Sequence, residues 1–386
     1  MAAGPNDVVI PPRRGVVLSM VVLICVAFFT LTYFVNAAYQ RERTALARHW
    51  LRTADGDSAA GHAADAVDAY RAALTYDPAD PQTTLKLAEA LARAGQERQA
   101  SSYLLSLLQE EPGNGPVNLA LARLSARQQD VGAAMRYYQG AIYGGWSGQG
   151  EVMRRQARLE LIDFLLTRNA VTEARSELIA VTGDLPRDPA VVTAVADRFV
   201  RAGDDANALR LYRDAISLHG ATPAVWSAAG MSAFRLADYR AAEEYLRRAH
   251  DAGADGNVRQ TLETSRAVLE LDPFARGLST QRRIERLRRM LEIAAARAES
   301  CNPAGAPTAH PIAPAAGALI QQLDLAQRIA IARRELDRAR ELDPDIVDNL
   351  MKLLSEAEQS QAGCPQASPQ DAAIVLIARS RQAGGV

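Results

Sequence analysis

The chain has 386 residues, with 44 basic against 45 acidic side chains and a formal net charge of -1. That balance argues against a nucleic-acid partner, which asks for a clear basic excess. Hydrophobic residues are 48% of the chain and aromatics only 5%, and the small apolar side chains suit close-packed helices better than sheets.

The first predicted element is a membrane helix over residues 15–35, after a short tail at 1–14. "GVVLSMVVLICVAFFTLTYFV" holds 21 residues without a charge. At 1.5 Å per residue it spans about 30 Å, the thickness of the hydrocarbon core. Phe28, Phe29, Tyr33, Phe34 and Tyr39 gather near its end as an interfacial aromatic belt would. Arg13 and Arg14 also fit the start of a cleaved signal peptide, but the apolar run is longer than such peptides need. An uncleaved anchor is the preferred reading. Orientation is ambiguous, because Arg41, Arg43, Arg48 and Arg52 on the far side outnumber the two arginines before the helix.

Next comes a periodicity. Alanine recurs at Ala66, Ala100, Ala134, Ala174, Ala208 and Ala242, at intervals of 34, 34, 40, 34 and 34 residues. Four residues on stand Tyr70, Leu104, Tyr138, Leu178, Tyr212 and Leu246, and three further on Ala73, Leu107, Ala141, Val181, Ala215 and Ala249. A second apolar set lies upstream, including Trp50, Leu87, Leu121, Leu161, Val195 and Trp226. Gly61, Gly95 and Gly203 sit between the two sets, and Pro78, Pro112 and Pro186 follow the second. Spacings of three and four put each set on one helix face. The glycines end the first helix and allow a tight turn, and the prolines stop the second. Such a unit cannot bury its faces alone, so neighbours must stack. The 40-residue interval carries about six extra residues in "GGWSGQGE", Gly144 to Glu151, read as a tolerated loop insertion.

Trp226, Ala229, Gly230, Ala242, Leu246 and Ala249 carry this pattern best, and it strongly resembles the tetratricopeptide repeat. The resemblance implies an all-α fold, an α-solenoid of about six helix–turn–helix repeats over residues 47–254. It follows one N-terminal transmembrane helix and precedes a C-terminal helical extension. Capping and basic amphipathic helices are expected over 257–300, a Pro/Ala/Gly linker over 301–317 and a helical region over 318–386. The basic face of Ser279–Glu299 (Arg282, Arg283, Arg286, Arg288, Arg289) is expected to pair with Asp337, Glu341, Asp343, Asp345 and Asp348 rather than with lipid. Ala372–Arg379 is a short apolar helix or strand buried against its neighbours. The segment from Glu341 on resembles the tail of some bacterial tetratricopeptide proteins.

Cys301 and Cys364, both near helix ends, form a candidate disulfide. If bonded, it places the domain outside the cytosol. The localisation expected from these readings is a single-pass protein of a bacterial inner membrane with a periplasmic soluble part.

No phosphate-cradling loop, nucleophile elbow, HExxH or zinc-type spacing stands in the chain, so no catalytic residue, cofactor or metal is assigned and an enzyme is not expected. The resemblance implies a protein or peptide partner in a concave groove lined by the first helix of each repeat. By the family pattern its positions are Leu51, Asp55, Leu85, Glu89, Arg93, Leu119, Arg123, Arg127, Leu159, Asp163, Asp197, Arg201, Met231 and Arg235. The basic and Asn pair that some family members use to clamp a C-terminal carboxylate is missing. The alternatives are an assembly or chaperone-like factor for a secretion or envelope complex, and an enzyme or enzyme regulator with an unrecognised site.

Overall fold

The computed structural model describes residues 12–301, 325–338, 343–359 and 367–383. Among the described residues there are seventeen helices and no strand. The chain divides into two compact units, Met1–Phe164 and Leu165–Val386.

In the first unit, α1 (Pro12–Ala60) is followed by α2 (Ala63–Tyr76), α3 (Pro81–Arg93), α4 (Glu97–Glu110), α5 (Gly115–Arg127), α6 (Val131–Tyr143) and the greater part of α7 (Gly150–Thr167). Each helix from α1 to α6 packs on the next. One uninterrupted helix, α1, runs through both the candidate membrane span of residues 15–35 and the start of the first repeat, and residues 36–46 contain neither Gly nor Pro to stop it. The side chains from Val16 to Val35 are exposed. Among the described residues α1 alone is long and apolar enough to cross a membrane.

The second unit holds α8 (Val171–Thr182), α9 (Pro189–Arg201), α10 (Asp205–Ser217), α11 (Pro223–Arg235), α12 (Tyr239–Asp251) and α13 (Asn257–Leu271), again each packed on the next. Then come α14 (Thr280–Cys301), α15 (Leu325–Arg338), α16 (Pro344–Gln359) and α17 (Pro369–Ala383). The apolar run at Ala372–Arg379 is helical and sits in the middle of a core. Ala373, Ile374 and Ile377 share one buried core with Leu287 and Leu291 of α14, Ile329 of α15, Leu350 and Leu354 of α16 and Val268 of α13. The linker at 302–317, and Cys364 with it, lie outside the described residues.

Local chemistry explains the helix ends. Asp80, Asn114, Asp188 and Thr222 cap α3, α5, α9 and α11, each with a proline in the first turn of the helix it opens. Asp130, Asp204 and Asp238 cap α6, α10 and α12 through backbone N–H groups three residues on.

The repeat shows most plainly in its turns. Gly61, Gly95, Gln129, Asn169, Gly203 and Ala237 all have positive φ, between 58° and 83°. The residue after each donates its N–H to a carbonyl five residues back, at 2.8–3.0 Å (His62 to Asp57, Gln96 to Leu91, Asp130 to Ser125, Ala170 to Leu165, Asp204 to Phe199, Asp238 to Ala233). This is the left-handed helix ending that glycine favours. The six alanines of the sequence pattern are each fully buried, and the large residues four positions on are buried with them.

Ala237 adopts this conformation at φ 59° with a Cβ. A left-handed residue with a side chain costs about 1–2 kcal/mol, part of which glycine gives back as chain entropy. Ala237→Gly is therefore expected to stabilise by about 0.5–1 kcal/mol, seen as slower amide exchange in α11 and α12. Gly95→Ala, where a methyl meets nothing within 4 Å, should lose a similar amount.

Basic residues on α14 partly meet the expected acids. Arg288 binds Asp337 at 2.9 Å. Arg286 instead donates to the carbonyls of Leu269 and Asp272 at the end of α13, at 3.2 and 2.6 Å. Asp348 pairs with Arg381 rather than with α14, and Glu341 lies outside the described residues.

Candidate functional site

The first helices of successive repeats set the charged positions, and their hydrogen bonds sort these into tied and untied groups. In the first unit, Asp55 on α1 accepts from the Tyr70 hydroxyl at 2.7 Å and from Lys86 Nζ through both carboxylate oxygens at 2.9 Å. Partial burial pushes the Asp55 carboxyl up, but the Lys86 and Tyr70 hydrogen bonds outweigh it and hold it below its usual value. Burial and the Asp55 contact push the Tyr70 phenol well above the usual tyrosine range, so it stays a neutral donor. Arg123 on α5 makes a two-pronged bond to Glu160 at 2.8 and 2.6 Å, which raises the guanidinium's affinity for its proton. Tyr138, beneath this pair, is pushed up to about 12 by burial and by the Glu160 charge.

Arg93 and Arg127 differ. Among the described residues Arg93 donates only to the carbonyls of Glu89 and Ser58, at 3.4 and 3.5 Å. Arg127 is exposed, and no carboxylate among the described residues pairs with it. These two guanidiniums rim a cavity of about 350 Å³ lined by Ala88, Glu89, Ala92, Arg93, Leu104, Ala120, Arg123 and Arg127. Its floor is small and apolar, and its rim is cationic with one carboxylate, Glu89. Four expected groove residues (Glu89, Arg93, Arg123 and Arg127) are brought together here.

The other expected positions of this unit are placed differently. Leu51 and Leu85 are half-buried and pack against the core of the unit. Leu119 is only 3% exposed and presents no surface to a ligand, because α5 is enclosed around most of its circumference. Leu159 and Asp163 are half-buried on α7. In the second unit, Asp197 accepts from Tyr212 at 2.6 Å, repeating the Asp55–Tyr70 bond, and burial together with Asp197 pushes this phenol up as well. Arg235 pairs with Asp205 at 2.9 and 2.6 Å. Arg201 is exposed and Met231 half-buried.

Sequence reasoning missed Lys86, Glu160 and Asp205 as the partners that tie these charges. It also missed Trp146, whose indole N–H donates to the Ala141 carbonyl at 2.8 Å. That bond fixes the loop after α6 in place.

No protein-family model matches the chain, and no curated protein does. Solved structures do match. The C-terminal part of a TPR repeat-containing protein from Cytophaga hutchinsonii aligns at 10% identity and a TM-score of 0.43, over 63% of this chain and 94% of that one. PilW, described as a widely conserved type IV pilus biogenesis factor, aligns at 17% and 0.41, over 56% and 98%. PilF of Pseudomonas aeruginosa aligns at 16% and 0.33, over 51% and 93%. Superpositions this loose fix no residue correspondence. The chain's own geometry does, through six left-handed turns in phase with six fully buried alanines. The repeats are stacked helix–turn–helix units whose geometry resembles that of tetratricopeptide repeats. In each of them the first helix offers the charged positions and the second supplies the buried tyrosine or leucine behind them. Tyr70 and Tyr212, four residues after their buried alanines, thereby reach the acid of the first helix fifteen positions earlier.

Proposed function

We propose that this protein is a membrane-anchored scaffold that holds a segment of a partner protein on the α3–α5 face of its first unit, with no chemistry of its own. The carrying observation is the cavity between those helices, where Arg93 and Arg127 stand without carboxylate partners over a floor of Ala88, Ala92, Leu104 and Ala120. Unpaired guanidiniums over an apolar floor suit an extended segment that brings an acidic side chain between apolar ones. The anchor is α1, which leads into the first repeat without a break and keeps the groove close to the bilayer, raising the local concentration of membrane partners.

The test is crosslinking pulldown from membranes with the tagged full-length chain. Arg127→Glu should remove the crosslinked partner while leaving the thermal midpoint unchanged, since Arg127 is exposed. Deleting residues 15–35 should release the chain from membranes and leave capture in detergent intact. Unchanged capture by Arg127→Glu defeats the groove reading. Loss of capture only on deletion favours the alternative, an assembly factor whose contacts lie in or beside the bilayer.

A further inference from the structure

A second cavity, of about 660 Å³, lies at the other end of the same two helices. α3 lines it with Pro81, Gln82 and Leu85, and lines the first cavity with residues 88–93; α5 and its cap line it with Asn114, Pro116 and Val117, and α5 lines the first with residues 120–127. The two cavities therefore follow each other along one groove. Their lining positions are centred about eight residues apart on each helix, or about 12 Å.

The chemistry of this end is reversed. Glu110 and Glu111 line it, and no Lys or Arg does. Glu111 accepts from Asn114 Nδ2 at 2.8 Å, and neither carboxylate pairs with a cation among the described residues. The half-buried Trp146 lines it as well.

The wall carrying Trp146 is the insertion that breaks the 34-residue spacing, and it is firmly seated. Gly145 N–H donates to the Gly113 carbonyl at 2.7 Å, and Gly115 N–H to the Gly145 carbonyl at 2.9 Å. The indole lies so close over Gly115 that a Cβ there would fall 2.4 Å from Trp146 Nε1. The extra residues build the cavity instead of looping away from the repeat.

We infer that the groove reads its occupant's charge order: a partner segment places an acidic side chain between Arg93 and Arg127 and a basic side chain over Trp146, between Glu110 and Glu111. This rests on the proposed groove and adds its second subsite. An extended chain advances about 3.3 Å per residue, so the two charges stand three or four residues apart. A cation over an indole beside two carboxylates is favoured by both contacts, whereas the reversed segment, held in the same chain direction, meets like charge at both ends.

The test uses the full-length chain in lipid nanodiscs against an immobilised array of decapeptides. Each carries Glu, Lys or Ala at two variable places on an Ala/Leu/Ser background, in every combination and order, one to six residues apart. Retention should peak at a separation of three or four in one order, about tenfold above the reverse. The double variant Glu110→Lys/Glu111→Lys should lose that preference and retain peptides with Glu at both places. Trp146→Ala should weaken the Lys-bearing peptides alone. Both glutamates are exposed, so an unchanged thermal midpoint shows that the fold is intact. Retention that depends on Glu and on Arg127 but ignores Lys, its order and the Glu110/Glu111 reversal overturns the second subsite and leaves the groove standing. Retention indifferent to Arg127, or none on any peptide, removes the groove reading itself and this inference with it.

Discussion

Asp371→Ala should destabilise the C-terminal helices by about 3–5 kcal/mol, the cost of breaking a buried ion pair from one side. Asp371 opens α17, and its side chain and that of Arg297 on α14 are 10% and 6% exposed, with Nη1 to Oδ2 at 3.3 Å. The same carboxylate oxygen accepts the Ser368 N–H at 2.7 Å, while the Ser368 hydroxyl accepts the Asp371 N–H at 3.2 Å. One side chain thus neutralises a buried guanidinium and closes a reciprocal cap on a helix that runs through the core. The two roles separate by substitution. Asp371→Asn keeps an oxygen for the cap but removes the charge, so it should retain most of the loss. Arg297→Met with Asp371→Leu removes both charges and should recover all but about 1 kcal/mol, the value of the cap. With more than one compact unit, whole-chain unfolding is not a two-state measurement. Amide exchange in α14 and α17 reads the local free energy directly. Should the double variant be as unstable there as Asp371→Ala, the pair is not what holds these helices.

The repeat was legible because it rests on residue size, which the sequence states outright. Ala66, Ala134 and Ala208 recur where two helices touch, and each is fully buried. Gly61, Gly95 and Gly203 marked three of the six turns. The other three use Gln129, Asn169 and Ala237 in the same backbone conformation, because tertiary packing overrides the local cost of a side chain there. The charged groove was legible only by position. Arg93 and Arg127 share a repeat position and share a cavity. Arg235 holds that position too, yet it is bound to Asp205. Whether a guanidinium is free depends on the helix beside it, and no periodicity within one repeat reports that. The Asp55–Tyr70 and Asp197–Tyr212 bonds did leave a signal, an acid and a tyrosine fifteen residues apart in both cases. The insertion read as filler because Gly and Ser are what loops are made of. Here those glycines let Trp146 lie against the chain. "SPQD", Ser368 to Asp371, ahead of an apolar run was a readable cap, but Arg297 lies 74 residues away and no local rule links them.

The close helix contact at Gly230 makes a sharper test of the repeat than any alanine does. Gly230 on α11 faces Leu246 on α12, and a Cβ at 230 would stand 2.6 Å from Leu246 Cγ and 3.1 Å from its backbone nitrogen. Neither atom is the free end of a side chain, so the helices must part to admit a methyl. Overpacking of this kind costs about 1–3 kcal/mol, against which Ala returns up to about 1 kcal/mol of helix propensity. Leu246 is fully buried, and Leu246→Ala should cost about 2–5 kcal/mol through the cavity it opens. The two changes meet at one contact, so their effects should not add. In the double variant the Gly230→Ala methyl occupies space that Leu246→Ala vacates. The double variant should therefore be at least about 1 kcal/mol more stable than the sum of the single losses predicts, as read by amide exchange in α11 and α12. Strict additivity would mean that the helices do not meet through these two residues, and the packing assigned to the sixth repeat would have to be redrawn.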